Sequence, residues 1–122
     1  MMRGVRGAIC ATANTREAIF DASRRLLIRL FAENEIETDR IASIFFTASP
    51  DLTADFPAYV VRDMGLLRIP LMCATEINVP GAMERVIRIL IHIETDKKQD
   101  EIRHLYLGEA ARLRPDLAGG DE

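Results

Sequence analysis

Two opposite charges, Glu76 and Arg88, stand inside two runs that are otherwise typical of buried β-strands. The second run, residues 86–93, alternates strictly, so Arg88 shares one face with Val86 and Leu90 while four isoleucines form the other. Removing a guanidinium from water costs several kcal/mol unless the group is paired. Arg88 therefore indicates either a fixed carboxylate partner or an anionic ligand.

The first run, residues 71–77, places Glu76 on one strand face and Cys73 on the opposite face. The segment between the two runs, Val79-Pro80-Gly81-Ala82, supplies turn chemistry. An antiparallel hairpin of the two runs would make Glu76 and Arg88 neighbours on adjacent strands. From the residues alone, a structural ion pair and a ligand-binding pair both remain open, and structural pairs are the more frequent.

Two further arginines are candidate anion contacts. Arg6 lies in a strand-like stretch between Gly4 and Gly7, whose lack of side chains lets a ligand approach the backbone closely. Arg62 lies on a short helix that has Pro57 in its first turn. For both arginines, a solvated surface charge is the alternative interpretation.

Length and composition limit the possible classes of protein. The 122 residues, 48% of them hydrophobic, are enough for one core, and we expect a single domain at residues 1–117 with a flexible tail at 118–122. A net charge of -3 argues against a nucleic-acid partner, which would require a basic surface. The two cysteines and two histidines do not have the spacing of a metal site, so neither a metal nor another cofactor is expected.

The N-terminal sequence indicates where the protein works. It lacks the long apolar core of a signal peptide, and charges interrupt every apolar run before it reaches membrane-spanning length. We therefore expect a cytoplasmic protein without a membrane partner.

Periodic apolar residues predict one long helix, with Asn14 as its N-cap in a capping box with Glu17 and with Asn34 at its end. Strands are predicted at residues 3–12, 41–48, 71–77, 86–93 and 102–107, and shorter helices at 57–65 and 109–114. This order predicts an α+β fold, a mixed β-sheet packed on one long helix. Since one helix covers only one sheet face, the chain is expected to cover the other by self-association.

Five motifs along the chain support a family assignment. They are Arg3-Gly4-Val5-Arg6-Gly7-Ala8, Thr47-Ala48-Ser49-Pro50-Asp51-Leu52, Phe56-Pro57-Ala58, Gln99-Asp100-Glu101-Ile102-Arg103-His104-Leu105-Tyr106-Leu107 and Leu113-Arg114-Pro115-Asp116-Leu117. In this order and spacing the chain resembles the monofunctional AroH-class chorismate mutases nearly from end to end. The resemblance implies a homotrimer with a pseudo-α/β-barrel core and an active site at each subunit interface. It also implies conversion of chorismate to prephenate by a [3,3] rearrangement, without covalent catalysis.

The resemblance also implies a role for individual residues. Arg88 matches the arginine that contacts the ether oxygen and a carboxylate, Glu76 the glutamate that accepts from the ring hydroxyl, and Cys73 the cysteine beside that hydroxyl. Arg6 and Tyr106 match the residues that contact the side-chain carboxylate. The residues that match the pocket lining and entrance are Phe56, Ala58, Arg62, Leu113 and Arg114. A thiol that only packs remains the alternative for Cys73, and a core aromatic the alternative for Tyr106.

Tyr59 stands where related sequences can carry a lysine after Phe-Pro-Ala, which removes a cation from that position.

Other functions fit parts of the pattern. The main alternative is a trimer similar to the Rid family, which would use interfacial arginines to bind or process another small carboxylate. A purely structural assembly module is the third hypothesis, but it leaves Arg88 without a role.

Overall fold

The computed structural model describes residues 1–114, so the expected flexible tail at 118–122 lies outside the described residues. Five strands and two α-helices follow one another along this part of the chain: β1 (Met2–Cys10), α1 (Arg16–Glu33), β2 (Ile41–Ala48), α2 (Tyr59–Asp63), β3 (Leu71–Thr75), β4 (Val86–Glu94) and β5 (Leu105–Tyr106). Short 3-10 helices occupy Thr38–Arg40, Gln99–Glu101 and Gly108–Leu113. The predicted α+β class and the mixed sheet on one long helix are confirmed.

The strands form one sheet in the order β3-β2-β4-β1-β5. β4 is central and pairs antiparallel with β1 on one side and with β2 on the other. The outer pairs, β2 with β3 and β1 with β5, are parallel. A central strand is covered by neighbours on both edges, so the most regular apolar alternation of the sequence falls where the sheet is most buried.

The expected hairpin of residues 71–77 with 86–93 is wrong. β3 pairs with β2 rather than with β4, and β2 lies between them. The connection from residue 76 to 85 spans ten residues and ends at Arg85, which has a positive φ of 55°. A tight hairpin loop usually has two to five residues, and this connection is long enough to carry the chain across β2.

The long helix α1 begins one residue later than the sequence predicts. Thr15 is the N-cap, and its hydroxyl accepts a hydrogen bond from the Ala18 amide at 3.1 Å. Asn14 does not cap the helix but binds residues 53 and 54 instead, and for that reason the predicted capping box with Glu17 is wrong. Asn34 ends the helix as expected.

The main core lies between α1 and one face of the sheet. The four isoleucines of β4 point into it, and each is at most 2% exposed. Burying a side chain of this size contributes about 1.5–3 kcal/mol, so this layer supplies much of the stability of the chain. The fully buried residues of the layer include Leu26, Leu27 and Leu30 of α1 and Ile44 and Phe46 of β2.

The opposite face of the sheet, called the open face below, carries two cross-strand rows. One row is Ala74, Thr47, Arg88 and Ala8, and the next is Met72, Phe45, Leu90 and Arg6. The apolar members of the second row stay exposed, Met72 at 59%, Phe45 at 38% and Leu90 at 37%. No helix of the described residues is both long enough and apolar enough to cross a membrane.

Gly7 is required by packing rather than by access for a ligand. A Cβ at Gly7 would lie 2.6 Å from the carbonyl oxygen of Leu105 and 3.0 Å from a methyl group of Leu26. At Gly4 the nearest atom is a methyl group of Leu90 at 3.5 Å, which is ordinary contact. Thus β1 needs a glycine where β5 and α1 meet it.

We therefore expect Gly7→Ala to reduce the free energy of unfolding by about 1–3 kcal/mol, because backbone and core must shift to admit the methyl group. Gly4→Ala is the matched control and should change this free energy by less than about 1 kcal/mol. Denaturant unfolding at one fixed protein concentration would measure both variants. Equal losses in the two would contradict this account of Gly7.

Candidate active site

Glu76 and Arg88 form an ion pair across β2. The Arg88 Nε atom donates to Glu76 Oε2 at 2.9 Å, and the Thr47 hydroxyl donates to the same oxygen at 2.6 Å. Thr47 stands directly opposite Arg88 in the β2–β4 register and opposite Ala74 in the β2–β3 register. The Glu76 carboxylate is therefore held above Thr47, and it reaches Arg88 although one strand separates them.

Thr47 was not among the candidate residues of the sequence analysis. The signal was present, because alternation along residues 41–48 places Thr47 on the face opposite the buried Phe46. A hydroxyl that donates to a carboxylate fixes the orientation of that carboxylate. Thr47 is thus part of the site.

The pair is only partly removed from water. The Arg88 side chain is 42% exposed and that of Glu76 is 18% exposed, so the expected desolvated guanidinium is not found in the single chain. An ion pair with this exposure contributes at most about 1 kcal/mol to stability. Arg88 lies in the middle of a strand and its ion pair adds little stability. Binding of an anion therefore explains this arginine better than a structural role does.

Arg6 lies on the same face, two residues along β1 from the partner of Arg88. Its Nε atom is buried and has no hydrogen-bond partner among residues 1–114. Its backbone amide donates to His104 Nδ1 at 3.2 Å. An unpaired buried donor on a charged group is costly, so an anion at Arg6 would satisfy an existing deficit.

His104 must be the neutral imidazole in order to accept this hydrogen bond. Burial lowers the pKa of His104, and the positive charges of Arg6 and Arg114 lower the pKa further. The two arginines therefore act on the same small region. The positive charge available to an anion there comes from these arginines, while His104 stays neutral.

Tyr106 is held beside this region by β5, which pairs it with Ala8. It is 4% exposed and belongs to a small apolar cluster on the open face, with Leu113 packed against its edge. Tyr106 is thus both a packed aromatic and a neighbour of the charged residues. The residues of this region, called the sheet-face group below, are Arg6, Thr47, Glu76, Arg88, His104, Tyr106, Leu113 and Arg114.

The other predicted residues lie elsewhere. Phe56 and Tyr59 are in ring contact with centroids 5.2 Å apart, and the Arg62 guanidinium lies 5.8 Å from the Tyr59 ring centre. Ala58 is buried, whereas Phe56 is exposed. Phe56 borders a groove of about 520 Å³ that Cys73 also lines. Phe56, Ala58, Arg62 and Cys73 are called the loop group.

Cys73 does not lie beside Glu76 in the single chain. It stands opposite Phe46 in the β2–β3 register and packs against the main core, on the face away from Thr47. Burial raises the pKa of the Cys73 thiol, an effect only partly offset by a hydrogen bond with the Ala58 backbone. The thiol is therefore protonated near neutral pH and is a weak donor rather than a nucleophile.

The two groups remain apart in one chain. Within residues 1–114, the side-chain hydrogen bonds of Glu76 and Arg88 are with each other and with Thr47, whereas the ring contacts of Phe56 and Arg62 are with Tyr59. The same part of the chain holds no cluster of three or more His, Cys, Asp or Glu residues that could bind a metal ion. The chemistry that the geometry offers is thus binding and charge stabilisation of an anion.

Comparisons with known proteins show which anion-binding family this is. The family model described as chorismate mutase type I matches residues 2–117. The chain belongs to the type I chorismate mutase family. Chorismate mutase AroH of Thermus thermophilus is 48% identical over 118 residues, covering 96% of this chain and 97% of that protein. Chorismate mutase AroH of Bacillus subtilis (strain 168) is 38% identical over 119 residues, covering 97% of this chain and 94% of that protein.

A solved structure agrees with the sequence comparisons. The chorismate mutase from Clostridium thermocellum superposes with a TM-score of 0.88 at 41% identity, covering 90% of this chain and 98% of that one. The predicted family and enzyme class are thus confirmed, and the enzyme is an isomerase of aromatic amino-acid biosynthesis. The Rid-like and purely structural alternatives are not favoured.

The pKa of His104 leads to a prediction about stability. Since the folded chain binds the His104 proton less tightly than the unfolded chain does, stability should fall as the pH drops below about 6.5. His104→Gln keeps an acceptor for the Arg6 amide but does not titrate. Its thermal midpoint should fall less between about pH 7 and about pH 5 than that of the wild type. Parallel losses in both proteins would show that His104 is not responsible.

Proposed function

We propose that the enzyme converts chorismate to prephenate with the Arg88–Glu76 pair at the centre of its active site. The observation that carries this proposal is the ion pair itself, held on Thr47 at the open face, where the Arg88 side chain is 42% exposed in the single chain. The matching family model over residues 2–117 supports it, and also supports one catalytic domain at residues 1–117. A cytoplasmic location stays a prediction, which cell fractionation would test.

The protein does not have to form or break bonds to the substrate in this reaction. One carbon–oxygen bond breaks and one carbon–carbon bond forms within the same molecule, so no nucleophile, base or metal has to take part. The enzyme can accelerate it by holding the dianion in its compact reactive conformer and by stabilising negative charge on the departing ether oxygen. These are tasks for fixed cations and hydrogen-bond acceptors.

Six residues of the sheet-face group have a proposed task toward the substrate. Arg88 donates to the ether oxygen and to a carboxylate, and Glu76 accepts from the ring hydroxyl. Arg6 and Tyr106 bind the side-chain carboxylate, for which the unpaired Nε atom of Arg6 provides support. Leu113 and Arg114 lie at the entrance. The charge on Arg88 matters most, because it meets a charge that grows toward the transition state.

A homotrimer with a pseudo-α/β-barrel core is the proposed assembly. The exposed apolar row Met72, Phe45 and Leu90 supports burial of the open face against other copies. The partial exposure of Arg88 supports it as well, since a covering subunit would complete the desolvation that strengthens electrostatic catalysis. In such an assembly the loop group of one subunit would face the sheet-face group of the next, with Phe56, Ala58 and Arg62 as lining. Cys73 would complete the region of the ring hydroxyl.

The activity is tested by following the loss of chorismate absorbance with purified protein and identifying prephenate as the product. Arg88→Met keeps the length of the side chain and removes its charge. We expect it to lower kcat by about 10²–10³ or more, because one preorganised donor to a developing oxyanion is lost. Arg88→Lys should recover only part, since lysine lacks the planar fork of donors.

The control for Arg88→Met is its assembly state, which should match that of the wild type. A variant that assembles normally and keeps kcat within about threefold would make Arg88 a structural partner of Glu76, and the proposed mechanism would be wrong. Wild-type protein that leaves chorismate unchanged would refute the proposed activity.

The trimer leads to a second prediction. Leu90→Glu places a charge in the centre of the open face and should shift the mass in light scattering from trimer to monomer, with loss of activity. Ile28→Glu is the matched control, because Ile28 is an exposed aliphatic residue of similar size on α1. A wild-type mass of one chain at micromolar concentration would contradict the proposed assembly.

A further inference from the structure

Asn14 uses all of its side-chain hydrogen-bonding atoms on one short segment. Its Oδ1 atom accepts from the backbone amides of Thr53 and Ala54 at 2.9 and 3.0 Å. Its Nδ2 atom donates to the Thr53 hydroxyl at 2.9 Å. The side chain thus binds two consecutive backbone amides, which lie 39 and 40 residues further along the chain. It also binds the hydroxyl of the first of these two residues.

Arg16, the first residue of α1, adds a second contact to the same segment. The Arg16 Nε atom lies 3.3 Å from Asp55 Oδ2, and Asp55 Oδ1 accepts from the Phe56 amide at 2.7 Å. Residues 53, 54 and 55 are therefore tied in succession to the start of α1, immediately before Phe56. Asn14, Arg16, Thr53, Ala54 and Asp55 are called the loop clamp.

Within the segment that carries Phe56, the loop clamp holds the middle, residues 53–55, while other contacts hold the two ends. Between the end of β2 and the start of α2, it belongs to no strand or helix. Its first part is held by hydrogen bonds of Ser49 and Asp51 to the backbone of residues 85 and 86 and of the Leu52 amide to Ser49. Its last part, residues 56–58, accepts from the amides of residues 59–61. Between them, the Thr53 and Ala54 amides donate to Asn14. Two amides in an exposed loop that lose their acceptor turn to water, and the loop then samples more conformations.

We infer that Asn14 is a positioning residue, which holds residues 53–55 so that Phe56 forms a fixed wall of the active site. The inference rests on the proposed function, in which Phe56 lines the site. A rigid wall matters for this reaction because restricting the conformer of the substrate is one of the two ways in which a protein can accelerate it. Asn14 does this from the start of a helix that contributes no side chain to the site.

The clamp acts on Phe56 more than on Arg62. The helix α2 is anchored by Val60 and Val61, which are both 0% exposed. Arg62 should therefore stay in place when the loop before it loosens. The binding charges remain and only the wall becomes mobile, so the loss should fall on kcat more than on KM.

The test compares Asn14→Ala with two matched variants. Asn14→Asp keeps an oxygen that accepts from both amides. Thr15→Ala removes the neighbouring N-cap hydrogen bond to the Ala18 amide and leaves the clamp intact. All are assayed well below their unfolding temperatures, and hydrogen exchange of the Thr53 and Ala54 amides is measured in each.

We expect Asn14→Ala to reduce kcat by about tenfold or more, with faster exchange of both amides, since small misplacements of site residues have effects of this size. Asn14→Asp should restore slow exchange and most of kcat. Thr15→Ala should lower the unfolding temperature and keep kcat within about twofold. Asn14→Ala with kcat within about twofold of wild type, or an equal loss in Thr15→Ala, would overturn the inference.

The design keeps the two proposals separate. If Asn14→Ala does not fold, faster exchange and lower kcat in Thr53→Ala, which removes one clamp bond, serve as the measurement, and unchanged values there refute the clamp. An inactive wild-type enzyme refutes the proposed function. An active wild type with unaffected clamp variants refutes the role of Asn14 alone.

Discussion

The alternation of β4 is the constraint on which the rest of the structure depends. Its four isoleucines must face α1, because no other surface of the described chain could bury them. Successive side chains of a strand point to opposite faces, so the residues between the isoleucines are forced onto the open face. Arg88 is among them. The same packing that stabilises the chain therefore places a cation on a face where this chain alone covers it only in part.

The sequence predicted the strands better than their pairing. Residues 41–48 match β2 from end to end, because the run is short, rich in β-branched and aromatic residues and closely followed by Pro50. Pairing depends on contacts between distant residues, and the turn-forming residues 79–82 suggested a hairpin that the sheet does not contain. β2 competes better than β3 for the edge of β4, since it is longer and richer in β-branched and aromatic residues. Asn14 was wrongly predicted as the N-cap for the same reason, because its hydrogen-bond partners lie 39 and 40 residues away in the sequence.

The charged pair of the candidate site was predicted despite the wrong pairing. Glu76 and Arg88 meet because both lie on the open face near the same end of the sheet, and a glutamate side chain can span the strand between them. Thr47 was missed because the alternation of residues 41–48 gives the face on which it lies but not its partner, and threonine is a common residue in strands. In the proposed trimer the loop group would meet these residues across a subunit boundary, and neither sequence periodicity nor the fold of one chain specifies such a contact.

The geometry of the ion pair suggests how Glu76 can hold Arg88 without blocking it. Glu76 accepts from the Nε atom, while the guanidinium has five N–H donors in a planar fork, and those on its two terminal nitrogens are separate from the Nε donor. Rotation about the side chain is restricted by this one bond, and Thr47 fixes the carboxylate in turn. In the proposed mechanism the guanidinium therefore keeps its resident partner and presents its terminal donors to the substrate. A cation held in this way reorganises little as charge develops on the ether oxygen, and low reorganisation is what makes electrostatic stabilisation effective.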